Sequence, residues 1–456
     1  MSRHLLTFVN HACFMVRSES ALLLVDPWLE GPAFNNGWSL LDQSTSSPAL
    51  IAQLNQEDVP VYIWYSHEHP DHFSIPFIKK LKEEFRGHVE FLFQETLDKR
   101  VAGFLKRNGF AVTECGDGVP VALGRDMRIT VFPYESGDSW CLINCGERNI
   151  LNLNDCALTT AHQCRVVKAK VASLAPRIDL LFTQFGYANW VGNPDQHGLR
   201  RAAAQEKIER IALQIAHLNP SLVVPFASFV YFSSTDNVYL NEGQNRPRAV
   251  ADAPRLAGVA HAIRFLQPGS TIDLDTDTAA SLAATHEQAL AHWTRLLEAD
   301  LKLLPSLPPA SVDDVRGAFT TYRDAVRASL PALPWLLEAT RRLRPLVIHL
   351  SDLDQTVELS YRTGLRLLDG GRPFHVSMTS TNAVFLLKNE YGFDTTHVNG
   401  RFRIAHGDAL SVFSRFFLPQ RMVKNGFGVR HPMLTARFLA RSAWSRATRQ
   451  VQAVSR

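Results

Sequence analysis

The chain opens on two apolar stretches, residues 5–16 and 21–26, separated by the polar Arg17-Ser18-Glu19-Ser20; the pattern predicts two strands joined by a turn. A third strand is expected in the run Val61, Tyr62, Ile63, which leads straight into the polar block His67-Glu68-His69-Pro70-Asp71-His72. Behind Ser74, the apolar Phe77, Ile78, Leu81 and Phe85 recur at helical spacing, with Lys79, Lys80, Lys82, Glu83 and Glu84 facing outward. Ser74 is the expected helix cap. A short strand at 88–93 and a helix near 95–108 continue the alternation, which argues for a layered α/β domain. Further strands are expected before Asp155, at 180–184 and at 222–232, with a long helix at 198–218 between the last two.

Residues 276–345 read as helical. One amphipathic stretch covers 283–304, prolines at 305–309 break it, and Ser311 with Asp314 forms a capping box. Val312, Val315, Phe319, Tyr322, Val326 and Leu330 then share one face, a stripe suited to packing. Strands expected at 346–350, 356–361, 374–379 and 398–404, with helices near 382–389 and 408–424, make the last portion an α+β module. That module is expected to roof the site or to mediate contacts in a homodimer. No acidic residue follows Asp408, and Arg437, Arg441, Arg446 and Arg449 accompany Leu434, Phe438 and Trp444 in a basic terminal helix, read as packed on its own domain. The expected division is 1–275, 276–345 and 346–456.

At 456 residues the chain has room for two or three domains with large cores. With 46% hydrophobic and 20% charged residues it is globular, and a net charge of +4 gives no reason to expect a nucleic-acid partner. Six cysteines without a CxxC pair suggest reduced thiols in the cytoplasm. The opening Met1-Ser2-Arg3-His4-Leu5-Leu6 lacks the apolar core of a signal peptide, and no apolar run reaches the roughly 18 residues of an integral membrane segment.

The chemistry concentrates in the block at the end of the third strand. His67 and His69 are two apart, so on an extended segment they point the same way, whereas Asp71 and His72 lie beyond the turn forced by Pro70. The first pair can hold one ion and the second pair another, the arrangement of a two-metal site.

The H-x-H-x-D-H block resembles the signature of the metallo-β-lactamase fold. Val9-Asn10-His11-Ala12-Cys13-Phe14, the string Asp26-Pro27-Trp28-Leu29-Glu30-Gly31-Pro32-Ala33-Phe34, and Gly37-Trp38 resemble the CMP-N-acetylneuraminate hydroxylases and related bacterial non-haem diiron oxygenases. Leu153-Asn154-Asp155-Cys156, residues 225–229 and Leu266-Gln267-Pro268-Gly269 extend the likeness over roughly the first 275 residues. The resemblance implies an αββα sandwich in which Asp155 bridges two ions and Asp26 supports the site by hydrogen bonding. It implies that Glu135, with Asp138 as the alternative in the same loop, stands where the wider superfamily has a metal-binding His. It hints that His11 approaches the site, where a supporting or structural role is favoured over ligation. The superfamily's last His has no counterpart near Asn237, and His197 is the weak substitute.

These readings predict two iron ions held by His67, His69, Asp71, His72, Glu135 and Asp155, with dioxygen as co-substrate. The expected activity is that of a monooxygenase acting on a small-molecule metabolite such as a secondary metabolite, fatty acid or amine. The Cys-x-His and Cys-x-x-His pairs of the hydroxylases' Rieske domain are absent from this sequence, so a separate electron-transfer protein is expected. The alternative is a zinc-dependent hydrolase of an ester, lactone or phosphodiester.

Overall fold

The computed structural model describes residues 4–424 except 370 and 406, together with 428, 429 and 433. The basic terminal helix expected from residues 434–449 lies outside the described residues. Two compact units emerge, one formed by residues 1–234 and 238–304, the other by 235–237 and 305–456. The expected helical segment is thus divided between them at Leu304, rather than standing as a separate piece.

The first unit runs β1 Leu5–Asn10, β2 Cys13–Arg17, β3 Leu22–Val25, β4 Trp38–Leu40, α1 Ser47–Leu54, β5 Val61–Tyr65, α2 Ile75–Glu84, β6 Val89–Gln94, α3 Arg100–Arg107, β7 Ala111–Cys115 and β8 Pro120–Ala122. It continues with β9 Met127–Pro133, β10 Ser139–Cys145, β11 Arg148–Asn152, α4 Ala161–Ala172, β12 Leu180–Gln184, α5 His197–Leu218, β13 Leu222–Phe226, β14 Val230–Phe232, α6 Pro247–Ala251, β15 Thr271–Asp273 and α7 Ala283–Glu298.

Two mixed sheets carry this unit, in the orders β15-β1-β2-β3-β5-β6-β7 and β13-β12-β11-β10-β9-β8. The period-two alternation of the first sheet shows what covers each face. Phe14, Val16, Leu23, Val25, Trp64 and Leu92 point into a core shared with Ile129, Val131, Leu142 and Leu151 of the second sheet. Their neighbours Met15, Leu24, Ile63, Tyr65 and Phe91 point the other way, onto Leu50 and Ile51 of α1, Phe77, Ile78 and Leu81 of α2, and Leu105 of α3. Ile208, Ile211 and Ile215 of α5 and Val167 and Val171 of α4 close the second sheet. The result is an αββα sandwich. Strands buried on both faces explain the nearly continuous apolar runs in the sequence, and each large side chain so buried contributes about 1.5–3 kcal/mol.

The expected α2 is present, with Ser74 Oγ accepting from Phe77 N and Phe77, Ile78 and Leu81 buried. The single strand expected at 5–16 is instead a hairpin. Asn10 pairs with Cys13 across a two-residue turn formed by His11 and Ala12, with a register shift between Phe8 and Asn10. The Asn10 side-chain oxygen accepts from His11 N at 2.9 Å, and His11 adopts φ +42°. The strand expected at 222–232 is likewise broken, because Ala227 turns at φ +52° and β14 leaves the sheet to pair with β4.

The second unit contains α8 Val312–Ser329, α9 Leu333–Ala339, β16 Leu346–Leu350, β17 Gln355–Ser360, β18 Gly364–Leu368, β19 Val376–Met378, α10 Ser380–Lys388, α11 Gly392–Asn399, β20 Arg403–Ile404, α12 Ala409–Phe416 and α13 Leu418–Lys424. Its five strands form one sheet, β18-β17-β16-β19-β20. The Ser311–Asp314 capping box forms as expected, with Val315, Phe319, Tyr322 and Val326 buried. The strand expected at 398–404 shrinks to Arg403–Ile404, since the chain up to Asn399 is helical and Gly400 ends that helix at φ +64°.

Candidate metal centre

Parallel pairing of β3, β5 and β6 in one sheet, and of β11, β12 and β13 in the other, sets their carboxyl ends at defined positions. Polar side chains gather just beyond these ends, where open α/β sheets bind their ligands. Asp26 follows β3, Ser66 and His67 follow β5, and Asp155 lies three residues beyond β11. After His69 the chain folds back, with His72 N and Phe73 N both donating to the His69 carbonyl at 3.0 and 2.7 Å. That turn returns Asp71 and His72 to the same volume.

Two trios result. His67, His69 and Asp155 form one, and His11, Asp71 and His72 the other; within each trio the atoms able to bind a metal lie within 4.8 Å of one another. Asp155 Oδ2 stands 3.6 Å from His72 Nε2 and 3.9 Å from His67 Nε2, so one carboxylate faces both trios. His11 Nε2 is 3.6 Å from Asp71 Oδ2.

The imidazoles are aimed by a buried network. Asp26, in a left-handed backbone conformation, accepts from Ser66 N at 2.8 Å, Ser66 Oγ at 2.7 Å, His72 Nδ1 at 3.0 Å and the Asn154 amide. Because Ser66 Oγ gives its only proton to Asp26, its contact of 2.9 Å with His67 Nδ1 takes the proton from the ring. Both His67 and His72 are therefore held with Nε2 turned inward, the way a carboxylate or hydroxyl orients a metal-binding histidine. Trp28 meets His11 edge-on at 5.5 Å between ring centroids, and Phe34 meets His69 at 5.7 Å. The Asp-Pro-Trp string thus supplies packing around both trios.

Electrostatics bind the cluster together. Burial, reinforced by His72 and His69, holds the His67 pKa well below the ordinary histidine value. Burial also disfavours a charge on His72, but the carboxylates of Asp71, Asp155 and Asp26 outweigh it and raise its pKa. Asp155 is held below the usual carboxylate range by His72, His67 and His69, against the desolvation that would raise it.

The residues suit a bound cation. Both ring nitrogens of His11, Asp71 Oδ1 and His72 Nε2 are buried with no hydrogen-bond partner among the described residues, a costly state unless something else occupies their lone pairs. Each trio is two imidazoles and one carboxylate, a set that suits non-haem iron as well as zinc.

Five of the six residues expected from sequence, His67, His69, Asp71, His72 and Asp155, converge. Glu135 does not join either trio. It opens a short turn, Glu135–Gly137, just past β9, with an exposed side chain. Asp138 in the same turn is also outside both trios. The turn is nevertheless tied to the centre, because the Gln94 amide donates to the Gly137 carbonyl and Ser139 Oγ donates to the Ser66 carbonyl at 2.6 Å. His197 pairs with Glu242 at 2.7 Å and stands outside both trios. Asn237 belongs to the second unit, where it donates to the Asn399 carbonyl at 2.6 Å. His11 is the residue that sequence reasoning undervalued; the polar Asn10-His11 pair inside an apolar run was the available signal of a turn there.

No protein-family model matches the chain. Fold and cluster together define an αββα sandwich with a candidate two-ion centre at the carboxyl ends of its strands. In sequence it is similar to the cytidine monophosphate-N-acetylneuraminic acid hydroxylase of Danio rerio, 25% identical over 287 residues that cover 59% of this chain and 46% of that protein. The chain spans about half the length of the hydroxylases it matches. Among solved structures it is similar to CmlA, a diiron β-hydroxylase from Streptomyces venezuelae, at 19% identity and a TM-score of 0.39, covering 60% of this chain and 54% of CmlA. A protein described as a possible metal-dependent hydrolase from Veillonella parvula matches with 12% identity and a TM-score of 0.41, over 60% of this chain and all of that one. Among the described residues, no helix is long and apolar enough to cross a membrane.

Proposed function

We propose that the chain is a non-haem diiron oxygenase acting on a small-molecule metabolite, with electrons delivered by a separate protein. The observation that carries this reading is the pair of two-imidazole, one-carboxylate trios that share Asp155 as a common neighbour. His67 and His69 would hold one ion, His11, Asp71 and His72 the other, and Asp155 would bridge them. Glu135 is assigned to the first ion as a further ligand, on the support that its turn is fastened to Ser66 beside His67. A bound iron pair supplies the reductive activation of dioxygen. The chain's own residues orient the imidazoles through Asp26 and Ser66 and keep the His11 side dry. The sequence similarity to hydroxylases points the same way.

Metal analysis of protein made in iron-supplemented medium, followed by oxygen uptake with a chemical reductant, tests the reading. About two irons per chain and reductant-dependent oxygen consumption are expected. Tight zinc with oxygen-independent cleavage of an ester, lactone or phosphodiester would replace it with the hydrolase. Glu135→Ala should weaken the first ion; unchanged metal retention would leave that ion to His67, His69 and Asp155 alone.

A further inference from the structure

Lys207 sits on α5 with its Nζ donating to Gln184 Oε1 at 2.7 Å, while Gln184 Nε2 donates to Asp155 Oδ1 at 3.3 Å. An ammonium therefore stands two hydrogen bonds away from the carboxylate that faces both trios. Lys207, Gln184, Asp155 and His69 are all half-buried, whereas His11, Asp71 and His72 are fully buried. The cation thus lies on the open side of the centre.

The carboxylates of Glu206 and Asp155 favour its charge from a distance, but neither pairs with it directly. Arg210, one turn further along α5, is paired with Glu206 at 2.7 Å, but Lys207 makes no ion pair among the described residues and donates instead to the neutral amide of Gln184. Holding Gln184 in place needs one donor and no charge. An ammonium partly removed from water is costly unless an anion meets it, and two of its three N–H bonds remain for one. Burial and then the Arg210 guanidinium bring its pKa down to about 8, so it is still mainly a cation at neutral pH.

We infer that Lys207, with Gln184 beside it, forms an anion subsite at the open edge of the metal pair and receives a carboxylate or phosphate group of the substrate. The inference rests on the metal-pair reading above. An acidic group held here would fix the substrate next to Asp155 and leave a neighbouring bond facing the ions. Nothing in this step requires Lys207 to transfer a proton.

Calorimetric titration of the zinc-loaded full-length protein with succinate and, separately, with inorganic phosphate tests it, the zinc content of every sample being measured first. Saturable binding of one probe is expected, weakened at least about tenfold in Lys207→Met and retained within about threefold in Lys207→Arg, with zinc content unchanged. A surface substitution, Lys79→Met, should leave it as in the unaltered protein. The tighter probe identifies the carboxylate or the phosphate as the recognised group. Equal affinity in Lys207→Met at full zinc content would overturn the subsite and leave Lys207 as a support for Gln184; so would failure of both probes to bind the unaltered protein. If the unaltered protein holds no metal, the metal-pair reading itself fails, a result separate from either of these.

Discussion

The two trios differ more in their surroundings than in their chemistry. His11, Asp71 and His72 are closed off from water, and His11 and His72 keep ring nitrogens with no hydrogen-bond partner among the described residues. In the other trio His67 is buried but His69 and Asp155 are partly exposed, and there His67 Nε2 already contacts His69 Nδ1 at 2.8 Å. A closed site with unsatisfied lone pairs gains more from an ion than an open one whose groups can satisfy each other or turn to water. The closed half should therefore anchor its ion, and the open half should be where exchange and substrate contact happen.

The largest effect that could break this contrast is expected from Asp26, because it serves both halves at once. Asp26→Ala strips partners from Ser66, His72 and Asn154 in the interior; it should cost roughly 3 kcal/mol in urea unfolding and empty both sites on metal analysis. Next come the reciprocal substitutions. His11→Ala should remove the closed ion while the open one stays, and His69→Ala should do the reverse, each loss exceeding about 100-fold in affinity by chelator competition. Identical stoichiometries in the two variants would abolish the distinction. A smaller change should follow Ser66→Ala, which frees the Nδ1 edge of His67: about 10- to 100-fold weaker retention of the open ion is expected. Smallest of all, His197→Asn should leave metal content unchanged and shift stability by less than about 1 kcal/mol, since its partner Glu242 is half-exposed.

Much of this arrangement was legible in one dimension. The His67–His72 block could be read because its imidazoles and carboxylate are close together in the sequence, and α2 could be read from Ser74 and a single apolar stripe. Asp155 was found by likeness rather than by spacing, since it comes from the other sheet and no local pattern joins it to His67. His11 was undervalued for a definite reason. An apolar run from Leu5 to Val16 reads as one strand, and within a strand His11 would face a core; only the fold-back at Asn10 turns it toward Asp71. Glu135 was likewise placed by likeness rather than by spacing; its side chain lies exposed and outside both trios, which leaves its part in the centre to the metal-retention test above. The break at Ala227 depends on a pairing partner far away in the chain, since β14 leaves its neighbours to pair with β4, which composition does not encode.

The six cysteines carry a last consequence. All are buried and unpaired in disulfides, and burial pushes their thiols upward, Cys115 and Cys145 to about 12 and Cys13, Cys141 and Cys156 well above the usual value. Thiolates are the form that reactive oxygen attacks first. A protein that handles dioxygen as proposed would thus have its own thiols shielded from escaping oxidants, Cys156 next to Asp155 included, and would wear out at the exposed Met433 or at its histidine cluster before it wore out at cysteine.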